Sequence, residues 1–285
     1  MKSLALLAAL FLTPALHAAL LAPLGHYSEA QERAAAGGAI YGLMAHNAYT
    51  EKRRDHFALP PGWEHEWAES EKPCWGRDGL QYNVIEHRAH GRVDEVVVAF
   101  RGSDSKRDWL LGNIGGAQIK LVQRVVFPAV LARYPGVKIT TAGHSLGGGL
   151  ALHCALLHPG VNAYVFNTSP HVSAGHEPTH PEQCVCFEER HEPLRLLRLL
   201  RSDARRGARW VFTGLLPHEM NRHFSGIIAS EVLLAGAQVD ATLRPLVVLN
   251  ADLLLRHGHK PRKVAHSNCA NIASSVFTRP LRASR

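Results

Sequence analysis

Residues 140–156, TTAGHSLGGGLALHCAL, set a serine between glycines in the order Gly143-x-Ser145-x-Gly147. A β-branched run, VKITTA at 137–142, precedes it, and an apolar run that stops at Pro159 and Gly160 follows. Strand, tight turn and helix in that order form the context in which G-x-S-x-G holds a nucleophilic serine at a sharp backbone reversal. The glycines have a physical task, because only residues without bulk let strand and helix close up around a strained serine. A glycine turn whose serine merely caps the helix is the competing reading, and the correct flanking elements weigh against it.

An alcohol is a weak nucleophile, so Ser145 requires a base, an acid that orients the base, and donors for an oxyanion. Leu146, immediately after the serine, offers one backbone N–H. The other candidate lies in VVVAFRGSDSKRDWL, where Ser103 follows the end of an apolar strand and could present its N–H and hydroxyl to the same sheet edge.

Working outward, Ser28 with Gln31 forms a capping-box pattern that opens a helix over 29–49. Strands are expected at 80–87 and 93–100, joined by the AHGR turn, and then at 137–141, 161–167 and 184–187. Helical patterns cover 120–133, the run after Leu146 and, more weakly, the C-terminal third. Strands alternating with helices of this length predict an α/β fold with a mainly parallel sheet. With 285 residues, 46% of them hydrophobic, and no internal repeat, one domain over 19–285 is expected.

AFRGS followed by DWLLGN, then AGHSLGGGLA and VFNTSP, resembles the class 3 lipases, the fungal-lipase-like branch of the α/β-hydrolases, over roughly residues 80–195. The resemblance implies an α/β-hydrolase fold and ester hydrolysis on acylglycerols or phospholipids through a Ser, acid, His triad. It assigns the oxyanion serine to Ser103 and a lid to 104–116, with Trp109, Leu110, Leu111 and Ile114 as its apolar side. The family's acid motif is altered here. FEERHEPLRLL offers Glu192 as the acid, with Glu189 and Glu188 as alternatives, since a glutamate can orient the histidine in this fold class.

The base follows the acid in the chain order of these enzymes. His266, at the head of the small-residue run KVAHSNCANIASSV, matches the family's histidine that opens a last helix. His223 is the alternative, His218 also follows the acid, and His257-x-His259 reads as a basic loop. An inactive lipid- or protein-binding scaffold, or an acyltransferase using the same serine, are the competing functions.

No cofactor and no metal are expected. His218 and His223 are five residues apart, which turns the two rings roughly 140° from each other on a helix. His171, His176 and His180 lie in a proline-rich loop without a carboxylate or thiolate at ligand spacing. Five cysteines are too few for a disulfide scaffold, and Cys184-x-Cys186 would share one face of a strand as packing residues.

Residues 1–18 have the three-part layout of a secretory signal peptide, so a secreted or periplasmic location is expected. Cleavage after Ala18 would remove Lys2 and take the formal charge from +8 to +7. LRLLRLLRSDARRGAR, 194–209, repeats arginine at Arg195, Arg198 and Arg201 among leucines. A helix there would suit peripheral contact with an anionic membrane. A single following aromatic, Trp210, and the lack of a recognisable module argue against nucleic acid.

Overall fold

The computed structural model describes residues 20–21, 27–49, 55–65, 80–102, 114–169, 183–189, 209–213 and 224–257. Seven strands form one sheet in chain order: β1 (Trp63–His65), β2 (Tyr82–Ala89), β3 (Arg92–Phe100), β4 (Lys138–His144), β5 (Asn162–Phe166), β6 (Cys184–Glu189) and β7 (Arg209–Thr213). The first two pairings are antiparallel, and β3 through β7 run parallel. The two strands expected from 80 to 100 are both present, the first shifted two residues along and the second one residue longer. Ala89 pairs with Arg92 across a two-residue turn, His90 and Gly91, both at positive φ (51° and 76°), the hairpin geometry that suits the twist of its strands.

β3 explains why a continuous apolar run reads as a strand. Val96, Val98 and Phe100 pack on one face of the sheet, while Val97 and Ala99 pack on the other. A strand covered on both faces has no polar side to alternate with. On the first face lies a helix that starts as α2 (Ile114–Leu121), passes through a π turn (Val122–Val126) and continues as α3 (Phe127–Arg133); beside it lies α4 (Leu146–Leu157). That helix begins earlier than the expected residue 120, so Ile114 to Gly116, assigned to a lid by sequence, are its first turn. The rest of the expected lid, 104–113, lies outside the described residues.

The second face is covered by α1 (Glu29–Asn47) and α5 (Ser225–Val239). The capping box at Ser28 is formed: the Gln31 N–H donates to Ser28 Oγ (3.3 Å) and the Ser28 N–H to Gln31 Oε1 (2.8 Å). α1 and α5 cross in antiparallel contact through small residues. A Cβ on Gly236 would lie 2.7 Å from Ala36 Cα, and one on Gly42 3.5 Å from Ala229 Cα. Farther out, α6 (Arg244–Leu249), α7 (Ala251–Arg256) and Leu20 close a third apolar cluster with α1 and α5.

Cys184 and Cys186 are fully buried in the core beside α4, as packing residues. Burial pushes the Cys184 thiol up to about 12. Arg209, read by sequence as the end of a basic helix, is instead the first residue of β7. Residues 1–18 and 194–208, together with Cys74 and Cys269, lie outside the described residues. No described helix is long and apolar enough to cross a membrane.

Candidate active site

β4 runs straight into the serine. His144 ends the strand, Ser145 adopts φ 57° and ψ −124°, and Leu146 begins α4. This is a left-handed conformation that non-glycine residues avoid, and it persists only where the surroundings over-determine it. Here they do. The Ser145 N–H donates to the Phe166 carbonyl (3.0 Å), and its own carbonyl accepts from Gly149 (3.1 Å) and Ser169 (2.8 Å). A Cβ on Gly143 would stand 2.7 Å from the Gly148 nitrogen, and one on Gly147 2.7 Å from the carbonyl carbons of Phe100 and Arg101. Both glycines of the motif are therefore set by close backbone approach. Leu146 opens α4, so its N–H is among the amides that an α-helix leaves without an intrahelical partner.

The end of β3 lies against this turn. Phe100 pairs with Gly143, and the Arg101 N–H donates to the Gln81 carbonyl (3.0 Å). A Cβ on Gly102 would meet the His144 carbonyl oxygen at 2.7 Å. The residue before Ser103 thus touches the residue before Ser145, although Ser103 itself lies outside the described residues. Tyr49, just beyond α1, fills the remaining space. Its hydroxyl lies 3.1 Å from the His144 carbonyl, to which it donates, and 2.9 Å from His144 Nδ1. Burial holds the Tyr49 phenol well above its ordinary range, against the opposing effects of the Gly102 N–H and Arg101, so it keeps its proton.

The next two strands end at the same edge. His144 pairs with Phe166 and Phe166 with Phe187, so Ser145, Asn167 and Glu188 are the next residues at one level. Asn167 has φ 43°; its N–H donates to Phe187 (2.8 Å), and its side-chain oxygen accepts from the Glu189 N–H (2.9 Å). Glu188 and Glu189 are both buried. Strand alternation puts Glu188 on the α4 face with Cys184 and Cys186, and Glu189 on the α1 face with Val185 and Phe187. Glu192, three residues on, lies outside the described residues, as do His218, His223, His259 and His266.

The start of α5 reaches this edge too. Ala36 meets Gly236, Gly42 meets Ala229, and His46 Nδ1 lies 2.9 Å from Ser225 Oγ, so the helix pair runs antiparallel with the first turn of α5 beside the end of α1. His257, which sequence reading left in a loop, instead follows α7 and packs edge-on against His46 (5.3 Å between ring centres), Phe57 and Phe224. Burial, and then the neighbouring His257, lower the His46 pKa to about 4; burial, and then Arg256, do the same for His257. Among the described residues, no group of three His, Cys, Asp or Glu side chains could hold a metal ion. Tyr49, Asn167 and the His46–His257 pair went unread in the sequence. For Asn167 a signal was present, an asparagine directly after an apolar strand.

Five parallel strands with a strained serine between the central strand and a helix define an α/β-hydrolase. A family model described as a phospholipase-like, Tle-like phospholipase domain matches residues 41–178, just under half of the chain, and the lipase-like resemblance carried by FRGS and GHSLGG is borne out together with the α/β-hydrolase fold. Among solved structures, the Rhizomucor miehei lipase in its propeptide complex is 17% identical, with a TM-score of 0.40, over 55% of this chain and 61% of that one. A lipase from Rhizopus microsporus var. chinensis is 18% identical (TM-score 0.40; 59% of this chain, 69% of that one), and lipase II from Rhizopus niveus 15% (0.43; 59% and 75%). The chain thus spans about three fifths of the Rhizomucor lipase. No curated protein matches it.

Proposed function

We propose that the protein hydrolyses lipid esters, as a lipase or phospholipase, through an acyl-enzyme on Ser145. The observation that carries this reading is the backbone of Ser145, held at φ 57° between a buried strand and the amide end of α4. A capping serine has no need of such a conformation, because helix caps adopt ordinary extended angles. In the reaction Oγ attacks the ester carbonyl while a histidine takes its proton. The carbonyl oxygen becomes an oxyanion facing the N–H of Leu146 and the N–H and hydroxyl of Ser103. Collapse expels the alcohol, which takes the proton back from the histidine, and water then repeats the sequence to release the fatty acid.

Glu192 is the proposed acid, with Glu189 as the alternative. The base is His266 or His223. The position of α5 supports His223: it immediately precedes Phe224, whose ring packs on His46 and His257 at the edge where β4 ends. The leucine–arginine run with Arg195, Arg198 and Arg201 supports peripheral contact with anionic lipid, and the leader-like residues 1–18 support export.

Ser145→Ala should lower kcat on a short-chain p-nitrophenyl ester by about 10³-fold or more without loss of fold, and a serine-directed phosphonate should modify Ser145 alone. Undiminished hydrolysis by the alanine variant would sink the proposal. Among the histidines, His223→Ala and His266→Ala should separate cleanly, the base costing kcat and the other changing only stability or KM. Glu192→Gln and Glu189→Gln divide the acids in the same way.

A further inference from the structure

We propose that Tyr49 is a positioning residue for the acyl-transfer step, its hydroxyl tying the end of the oxyanion strand at Gly102 to the end of the nucleophile strand at His144. The inference rests on the reading of Ser145 as nucleophile. The phenol proton goes to the His144 carbonyl (3.1 Å) and the oxygen lies 2.9 Å from His144 Nδ1, while the Gly102 main chain packs directly against the hydroxyl and ring. Gly102 leaves no alternative filling, because even a methyl group there would collide with the His144 carbonyl and the Tyr49 ring, whose Cζ would be 3.0 Å away.

The residues that follow these two anchors, Ser103 and Ser145, are the proposed oxyanion donor and the nucleophile. The spacing of Gly102 and His144 is therefore set by the Tyr49 side chain as well as by the β3–β4 ladder, whose last described pair is Phe100 with Gly143. Half-buried behind the turn, Tyr49 acts through its neighbours. Its loss should lower the rate of attack and leave ground-state binding alone, since small displacements of reacting groups are costly in rate.

Tyr49→Phe should retain the fold, lower kcat on a soluble ester by about 10-fold or more with KM within roughly twofold, and slow phosphonate labelling of Ser145 in proportion. The control is Tyr41→Phe, which removes a buried hydroxyl on α1 that donates to Glu95 (2.8 Å), away from the nucleophile. It should lose stability without losing kcat. Amide exchange on the unaltered protein tests the tie independently of any variant's folding: the Gly102 N–H should exchange as slowly as the amides inside β4. If the parent labels at Ser145 and Tyr49→Phe labels and turns over at the parent rate, or if Gly102 exchanges at loop rates, the inference is overturned while the Ser145 reading stands. A parent that does not label overturns both.

Discussion

Gly147 has no room for a methyl group, and the obstacle is main chain that cannot step aside: the carbonyls of Phe100 and Arg101. Gly147→Ala should therefore cost about 3 kcal/mol or more, with a large fall in thermal midpoint and activity lost together with the fold. Ser145→Ala is expected to differ in kind, with the fold kept and turnover gone, and thermal melts beside rate measurements tell the two apart. The motif was readable because its strand, serine and helix are contiguous in the chain, although the contact that demands glycine at 147 comes from the distant end of β3, Phe100 and Arg101. Tyr49 was not readable. It lies 95 positions from His144, at the frayed end of a helix, and neither periodicity nor a neighbouring residue marks it. Glu188 and Glu189 show a further limit, for spacing alone identified an acidic cluster at the end of β6 but not which carboxylate faces which layer.

At the scale of elements, α1 carries two kinds of glycine. Gly37 has nothing closer than the Tyr164 hydroxyl at 3.8 Å, so Gly37→Ala should stabilise by about 0.5–1 kcal/mol through helix propensity. On α5 the same substitution at Gly236 drives a Cβ into the backbone of Ala36 and should destabilise despite an equal gain in propensity. Urea titrations of the two variants should move in opposite directions. The imidazoles at the junction of α1, α5 and α7 give a pH dependence. His46 falls from 6.5 to about 4 on folding, so between those values the unfolded chain binds more protons than the native one. Its contribution is thus fully present above about pH 6.5 and is lost as pH drops toward 4, about 3 kcal/mol at most, and the half-exposed His257 adds less. His46→Gln should flatten stability over that window. Of the elements, α1, the β2–β3 hairpin and β4–α4 were legible from local pattern. The strand RWVFT was not, because its three apolar residues follow a long arginine-rich run that reads as helix. The π turn also escaped, since VQRVV has the same apolar spacing in either helix.

For the whole molecule, the sheet layout explains how a basic stretch and the acidic candidates come to be neighbours in sequence: residues 194–208 join β6, where those candidates begin, to β7. Each arginine near an anionic surface is worth about 1 kcal/mol at low salt, so Arg195, Arg198 and Arg201 together should raise adsorption to phosphatidylglycerol vesicles by roughly a hundredfold. Activity on such vesicles should exceed that on neutral ones and decline with added salt, while hydrolysis of a soluble ester stays level. Replacing the three with glutamine should remove the preference; a preference that survives assigns the contact to another surface. The antiparallel crossing of α1 with α5 bears on a different matter, time. Ala36 and Gly236 are about 200 residues apart in the chain, so α1 must wait for that stretch to be synthesised before its partner exists. At about 5–20 residues per second that delay is on the order of 10–40 s. Until then α1 has only part of its covering, so Tyr49, just beyond its end, is held against His144 without the support of α5. On the reading of Ser145 as a nucleophile, its surroundings are therefore completed late, only after α5 has been made.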